Sequence, residues 1–207
     1  MKIMIRTDME GVTGVTSYDQ VEYDKPHYAY GQEMMMNDLQ AAISGLLSTD
    51  DHEIIVYDEH TDGRNISLSI LDERVKVICG KPLYRPDWGG IDASFDAMIM
   101  IGFHARSGTP GALLPHTYSR KNLSLKINGQ LLGEIGMEAA IAGDFGIPTW
   151  LVTGDSAGMR EAQDDIPGVK TVVVKEALDE FQALCYPAKH THKLIYEAGR
   201  DVILSPP

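Results

Sequence analysis

Short apolar runs recur along this chain, and their spacing limits its fold more than any other feature. They are KIMIRT (2–7), EIIVYDE (53–59), VKVICG (75–80), DAMIMIGF (96–103), LSLKING (123–129), IPTWLVTG (147–154) and VKTVVVK (169–175). Brief runs rich in Ile, Val and Met, with little alternation, suit strands buried on both faces. Helical patterns lie between them at 31–47, 134–144 and 156–165, and a last one at 188–203 stops at Ser205-Pro206-Pro207. This alternation predicts an α/β fold, a mainly parallel sheet with flanking helices. The Gly/Pro-rich stretch KPLYRPDWGG (81–90) reads as a long loop.

In open α/β sheets, ligands bind beyond the carboxyl ends of strands. Asp8 and Glu10 directly follow the first run. If the extended conformation persists that far, both carboxylates share a face. Like charges so placed repel unless a proton, strong donors or a cation compensate, and a divalent metal does so most economically. Read alone, Asp8 also fits a turn before Gly11, with Glu10 facing water.

If the pair holds metal, further ligands belong at other strand ends. His60 follows EIIVYDE, His104 follows DAMIMIGF, and Glu134 opens the helical pattern 134–144, where the helix dipole favours a carboxylate. Taken singly, each has a plainer reading, as a histidine bonded to backbone or a helix-start acid. Together, two histidines and three carboxylates exceed one closed tetrahedral site and suit two metals sharing a bridge. Zinc leads, with manganese or cobalt as alternatives. Asp58 and Glu59 read as groups behind the ligands or as acids facing solvent. His116, in the loop TPGALLPHTYS, is the candidate catalytic acid or base unless it is a loop residue without a role. His27, His52, His190 and His192 are assigned nothing.

A competing pattern is Gly154-Asp155-Ser156-Ala157-Gly158, which satisfies GxSxG between a strand run and a helical one. Ser156 would then be a nucleophile, with Asp164 or Asp165 and His190 or His192 as partners, although Asp155 or Ser156 serves equally as a helix cap. The formal charge of −12 argues against unspecific binding to nucleic acid or an anionic membrane. Cys79 and Cys185 are too few for a disulfide framework, and Cys79 reads as packing at the end of its run. No apolar stretch reaches the ~18 residues of a membrane span. A cytoplasmic protein is expected.

Several ordered segments resemble the zinc-dependent D-aminopeptidases of the DppA type, peptidase family M55. They are TDMEGVTG (7–14), YDEH (57–60), IGFHARSGTPG (101–111), PHTYS (115–119), INGQLLGEIGMEAAIAGDFGIP (127–148), VTGD (152–155) and YPAK (186–189). The resemblance implies two zinc ions (Zn2+) per chain on Asp8, Glu10, His60, His104 and Glu134, with His116 acting in catalysis. It also implies removal of N-terminal D-amino acids such as D-alanine from short peptides. Ring-shaped homo-oligomers, pentamers or decamers, are expected to enclose the sites. Two features depart from the family pattern. Arg6 stands where the signature has serine, and the chain stops at Pro207 where members continue through a segment completing a smaller domain. The expected division is a catalytic unit over 1–185, then a C-terminal helix (186–207) leading into a shortened second domain. A noncatalytic metal- or peptide-binding homologue is the remaining alternative.

Overall fold

Burial on both faces is what gathers the apolar runs into one sheet. The computed structural model describes residues 1–81 and 89–207, so most of the loop expected at 81–90 lies outside the described residues. The strands are β1 (Lys2–Thr7), β2 (Glu53–Asp58), β3 (Val75–Ile78), β4 (Ala97–Phe103), β5 (Leu125–Ile127), β6 (Gln130–Leu132), β7 (Thr149–Asp155), β8 (Lys170–Asp179) and β9 (Gln182–Cys185). The helices are α1 (Tyr28–Leu46), α2 (Glu134–Asp144), α3 (Ser156–Asp165) and α4 (Ala188–Leu204). The main sheet runs β3-β2-β1-β4-β7-β8-β9, parallel throughout except for β9, which is antiparallel to β8.

The central strands β4 and β7 are buried at every position. Alternate side chains of β1 serve two cores, as the two-residue period of a strand requires. Ile3 and Ile5 pack with Met35, Leu39 and Ile43 of α1 and with Ile195 and Val202 of α4. Met4 packs on the other face with Met98, Met100, Ile135 of α2 and Met159 of α3. Each such side chain contributes roughly 1.5–3 kcal/mol by leaving water. α1 and α4 touch closely: a Cβ on Gly45 would lie 2.2 Å from the Tyr196 carbonyl oxygen. α4 therefore shares the core of the sheet, since Ile195, Ala198 and Val202 are buried in it.

Strand order positions the site. The chain steps outward from β1 to β2 and β3, then returns to lay β4 on the other side of β1. Connections diverge at that point and leave a crevice beyond the carboxyl ends of β1 and β4, where ligands bind in such sheets.

Some expectations need correcting. The run 123–129 is not a sheet strand, because β5 pairs only with β6 in a separate hairpin. Its residues alternate apolar and polar, Leu123 is 84% exposed, and Asn128-Gly129 both adopt positive φ (52° and 85°). That is the two-residue turn that closes a hairpin locally. α1 starts at Tyr28 rather than 31. β8 extends to Asp179 and turns into β9, a polar, exposed segment without a buried-strand signature. Cys79 lies just past β3 and is exposed rather than packed. Among the described residues, no helix is long and apolar enough to cross a membrane.

Candidate metal centre

The end of β1 is sewn to β4. Asp8 N donates to Ile101 O (2.9 Å) and Gly11 N to Gly102 O (2.7 Å). Only glycine fits at position 11, since a Cβ there would stand 1.9 Å from the Phe103 carbonyl oxygen. This approach carries Asp8 and Glu10 toward His104, directly after β4. Glu59 N donates to Thr7 O (3.0 Å), which sets His60 beside them from the end of β2. Glu134 joins from the first residue of α2. All five side chains are at least nine-tenths buried.

The histidine hydrogen bonds define what faces the crevice. His60 Nε2 donates to Val21 O (2.8 Å), His104 Nδ1 to Ala105 O (2.9 Å) and His116 Nδ1 to Leu114 O (3.1 Å). A carbonyl only accepts, so in each neutral ring the other nitrogen carries a lone pair. Those nitrogens point at carboxylates. Asp8 is divided between two of them, with Oδ1 2.9 Å from His60 Nδ1 and Oδ2 3.3 Å from His104 Nε2. Glu10 Oε2 completes one side, 3.2 Å from His60 Nδ1. Glu134 Oε1 completes the other, 3.4 Å from His104 Nε2. The arrangement is two half-sites sharing Asp8.

Acceptors facing acceptors need something positive between them. Asp8 Oδ2, Glu10 Oε2 and His104 Nε2 are buried with no hydrogen-bond partner. Without a cation, only protons can supply the charge. Burial pulls both imidazoles down, but Glu10 and Asp8 around His60, and Glu134 and Asp8 around His104, outweigh it and push both well above 6.5. Burial likewise raises Asp8, but the His104 and His60 rings beside it, once protonated, hold its carboxyl well below the usual range. A divalent cation replaces those protons and satisfies every orphaned atom at once. Asp8, Glu10 and His104 offer ligand atoms within 4.8 Å of one another, and so do His104, His116 and Glu134. The donor set, imidazole and carboxylate without thiolate, fits zinc, manganese or cobalt. Each ring's bond to a backbone carbonyl fixes which nitrogen faces the crevice, the kind of outer contact that orients a histidine where it serves as a ligand.

His116 stacks on His104, with ring centroids 4.0 Å apart and planes 9° from parallel, and its Nε2 is 3.7 Å from Glu134 Oε1. Tyr118 N also donates to Glu134 (2.7 Å). The cavity, about 140 Å³, is lined by these carboxylates together with Glu59, Lys81 and Tyr118.

Arg6 takes no part in ligation. It is fully buried, pairs with Glu59 (2.8 Å) and Glu138 (2.6 Å), and lies over the Tyr57 ring. Burial and the Glu138 charge push the Glu59 carboxyl up to about 7, against the pull of Arg6. Glu59 thus stands behind the candidate ligands and also reaches the cavity. Asp58 has a different task, accepting from Asn65 N (2.5 Å) and Asn65 Nδ2 (3.0 Å) to close the turn holding His60.

The GDSAG segment is accounted for structurally. Asp155 caps α3 by accepting from Ala157 N (2.7 Å) and Gly158 N (3.2 Å), and Ser156 Oγ accepts from Ala177 N (3.0 Å). His192 Nε2 faces Asp38, 3.5 Å away. Sequence reasoning missed a second polar group under the site. Asp38 accepts from Thr13 N and Thr13 Oγ1, both at 2.8 Å, and Lys175 reaches the same loop. The one signal was a lysine closing a run of three valines at a buried strand's end.

A parallel sheet with a buried nitrogen-oxygen donor cluster at its switch point defines a metal-dependent α/β enzyme. The family model for the M55 peptidases, described as D-aminopeptidase, matches residues 1–205. The chain belongs to that family. It is similar to the D-aminopeptidase of Bacillus subtilis (strain 168), 29% identical over 199 residues that cover 95% of this chain and 72% of the relative. Among solved structures it resembles the Zn-dependent D-aminopeptidase DppA from Bacillus subtilis, described as a self-compartmentalizing protease. The TM-score is 0.93 at 27% identity, over 99% of this chain and 74% of that one.

Proposed function

We propose that this chain removes N-terminal D-amino acids, such as D-alanine, from short peptides. In this reading Asp8, Glu10, His60, His104 and Glu134 hold two zinc ions, and His116 moves a proton. The observation that carries it is Asp8, whose two oxygens are divided between the His60 and His104 half-sites in a chain of this family. Manganese or cobalt would take the same donors.

Bound zinc supplies Lewis acidity, which polarises a peptide carbonyl and makes water a nucleophile near neutral pH. The protein supplies the rest. His116 is fixed by its Nδ1–H bond to Leu114 O and by stacking on His104, so Nε2 is the nitrogen left to take a proton from the attacking water and pass it to the departing amine. The acidic lining gives the substrate's free α-ammonium group an anionic surround. The cavity's small volume restricts access to short peptides.

The neighbour's self-compartmentalizing character supports a homo-oligomer here too, and a ring of five or ten copies is the form we propose. A cytoplasmic location is proposed on the free thiols of Cys79 and Cys185, which suit a reducing compartment. Residues 186–207 are proposed as the helix that leads on from the catalytic unit: every proposed ligand precedes them, and α4 packs into that unit's core.

The test is release of D-alanine from D-Ala and L-Ala dipeptides, before chelation, after it, and after zinc is restored. D-selective, chelator-sensitive release that zinc restores is expected. Release that survives chelation and stops with a serine-directed reagent would return the function to Ser156. Tight zinc binding without hydrolysis of any short D-peptide would make the protein a binding homologue.

A further inference from the structure

Lys175 ends the buried part of β8 and is fully buried itself. Its Nζ donates to Glu10 O (2.7 Å), Val12 O (2.6 Å) and Val15 O (2.5 Å). Carbonyl oxygens only accept, so satisfying all three requires three N–H groups, which an ammonium has and a neutral amine lacks. All three oxygens belong to residues 10–15, the loop that leaves β1 and contains a proposed ligand. Carbonyls converging on one point repel one another unless a cation sits among them, the chemistry by which carbonyl cages hold potassium.

The position of this ammonium is set from outside the loop. In the sheet register Lys175 is the partner of Asp155, whose carboxylate caps α3. Asp38 of α1 holds Thr13 in the same loop, and Thr13 Oγ1 is hydrogen-bonded to Thr191 Oγ1 of α4 (2.9 Å). The loop is thereby pinned from α1, α4 and β8 at once, and among the described residues Lys175 is the one that brings charge to its backbone oxygens.

We infer that Lys175 is a positioning residue for the metal centre, a tethered monovalent cation that gathers residues 10–15 and so sets Asp8 and Glu10 in place. It touches neither metal nor substrate. The inference rests on the zinc reading above. Truncating Lys175 to alanine leaves three carbonyls around a space the size of the lost propylammonium group, which a free cation of that shape can fill.

The experiment measures zinc affinity by competition with a chromogenic chelator for wild type, Lys175→Met and Lys175→Ala. Each is titrated in tetramethylammonium, potassium and propylammonium chloride at equal ionic strength. Wild type is expected to be indifferent to the salt. Both variants should lose about 10–100-fold in zinc affinity, the usual effect of losing a contact that orients ligands. Lys175→Ala should regain several-fold in propylammonium, and Lys175→Met, whose side chain blocks the space, should not. Wild-type zinc affinity in Lys175→Met, or a folded Lys175→Ala that ignores propylammonium, would overturn the inference.

A second measurement uses the wild-type protein alone and covers variants that fail to fold. One lysine Nζ signal in a ¹H–¹⁵N spectrum must show an NH3+ group protected from exchange. Absence of such a signal overturns the inference as well. If wild type binds no zinc, the metal reading fails, and the protected ammonium still decides whether the cage exists.

Discussion

Gly11→Ala isolates the role of the β1–β4 approach. A Cβ at position 11 would stand 1.9 Å from Phe103 O, with Gly102 C and Phe103 C at 2.5 Å, all of them backbone atoms that no rotamer change can move. Reaching an ordinary contact of 3.4 Å requires about 1.5 Å of separation between the two strand ends. The Gly11 N to Gly102 O bond, now 2.7 Å, does not survive that displacement. Asp8 and Glu10 move with one side and His104 with the other, so the two half-sites open along the line that Asp8 spans. Metal ligands tolerate shifts of about 0.2 Å, and a misplacement of about 1 Å is enough for ~100-fold in rate. Overpacking of this kind destabilises by about 1–3 kcal/mol, within a typical folding stability of 5–15 kcal/mol. Gly11→Ala should therefore remain folded in urea denaturation of the metal-free protein while losing about 100-fold in zinc affinity by chelator competition. A folded variant with wild-type zinc affinity would refute the claim that this contact sets the ligand geometry.

Three further outcomes follow from other contacts. His116→Ala should lower kcat by about 100-fold or more while zinc content is kept; loss of one zinc would instead make His116 a ligand. Ser156→Ala should leave D-alanine release unchanged and reduce stability by about 0.5–1.5 kcal/mol, because Ala177 N loses its acceptor; abolished turnover would revive the serine mechanism. Burial pushes Glu161 up to about 7 from an ordinary 4.5, partly opposed by its bond from Arg106 N. A raised folded-state value favours folding below pH 4.5 and loses that contribution as pH rises through 7. Urea titrations should show wild type losing roughly 2–3 kcal/mol relative to Glu161→Gln between those limits, and parallel pH profiles would contradict it.

Much of the site was legible because it follows from strand ends. The runs that became β1, β2 and β4 are apolar enough to place themselves, and Asp8, Glu10, His60 and His104 come immediately after them. Glu134 could be read from its place at a helix start. What the sequence does not show is partnership over distance. Arg6 looks like an interruption in a strand until Glu59 and Glu138 are seen to neutralise it. Lys175 reads as an ordinary polar strand end, because the carbonyls it serves lie 160 to 165 residues earlier. The run 123–129, which forms β5 of the hairpin, reads as a sheet strand because composition alone does not separate an alternating exposed segment from a buried one. The ring nitrogen each histidine turns to the crevice depends on backbone carbonyls, and no side-chain pattern records those.

Whether a pair of zinc ions shares Asp8 can be read from anomalous X-ray scattering at the zinc edge, measured on crystals of the zinc-loaded protein. Two peaks are predicted, one among Asp8, Glu10 and His60 and the other among Asp8, His104 and Glu134. A single peak, or zinc bound away from Asp8, would contradict it.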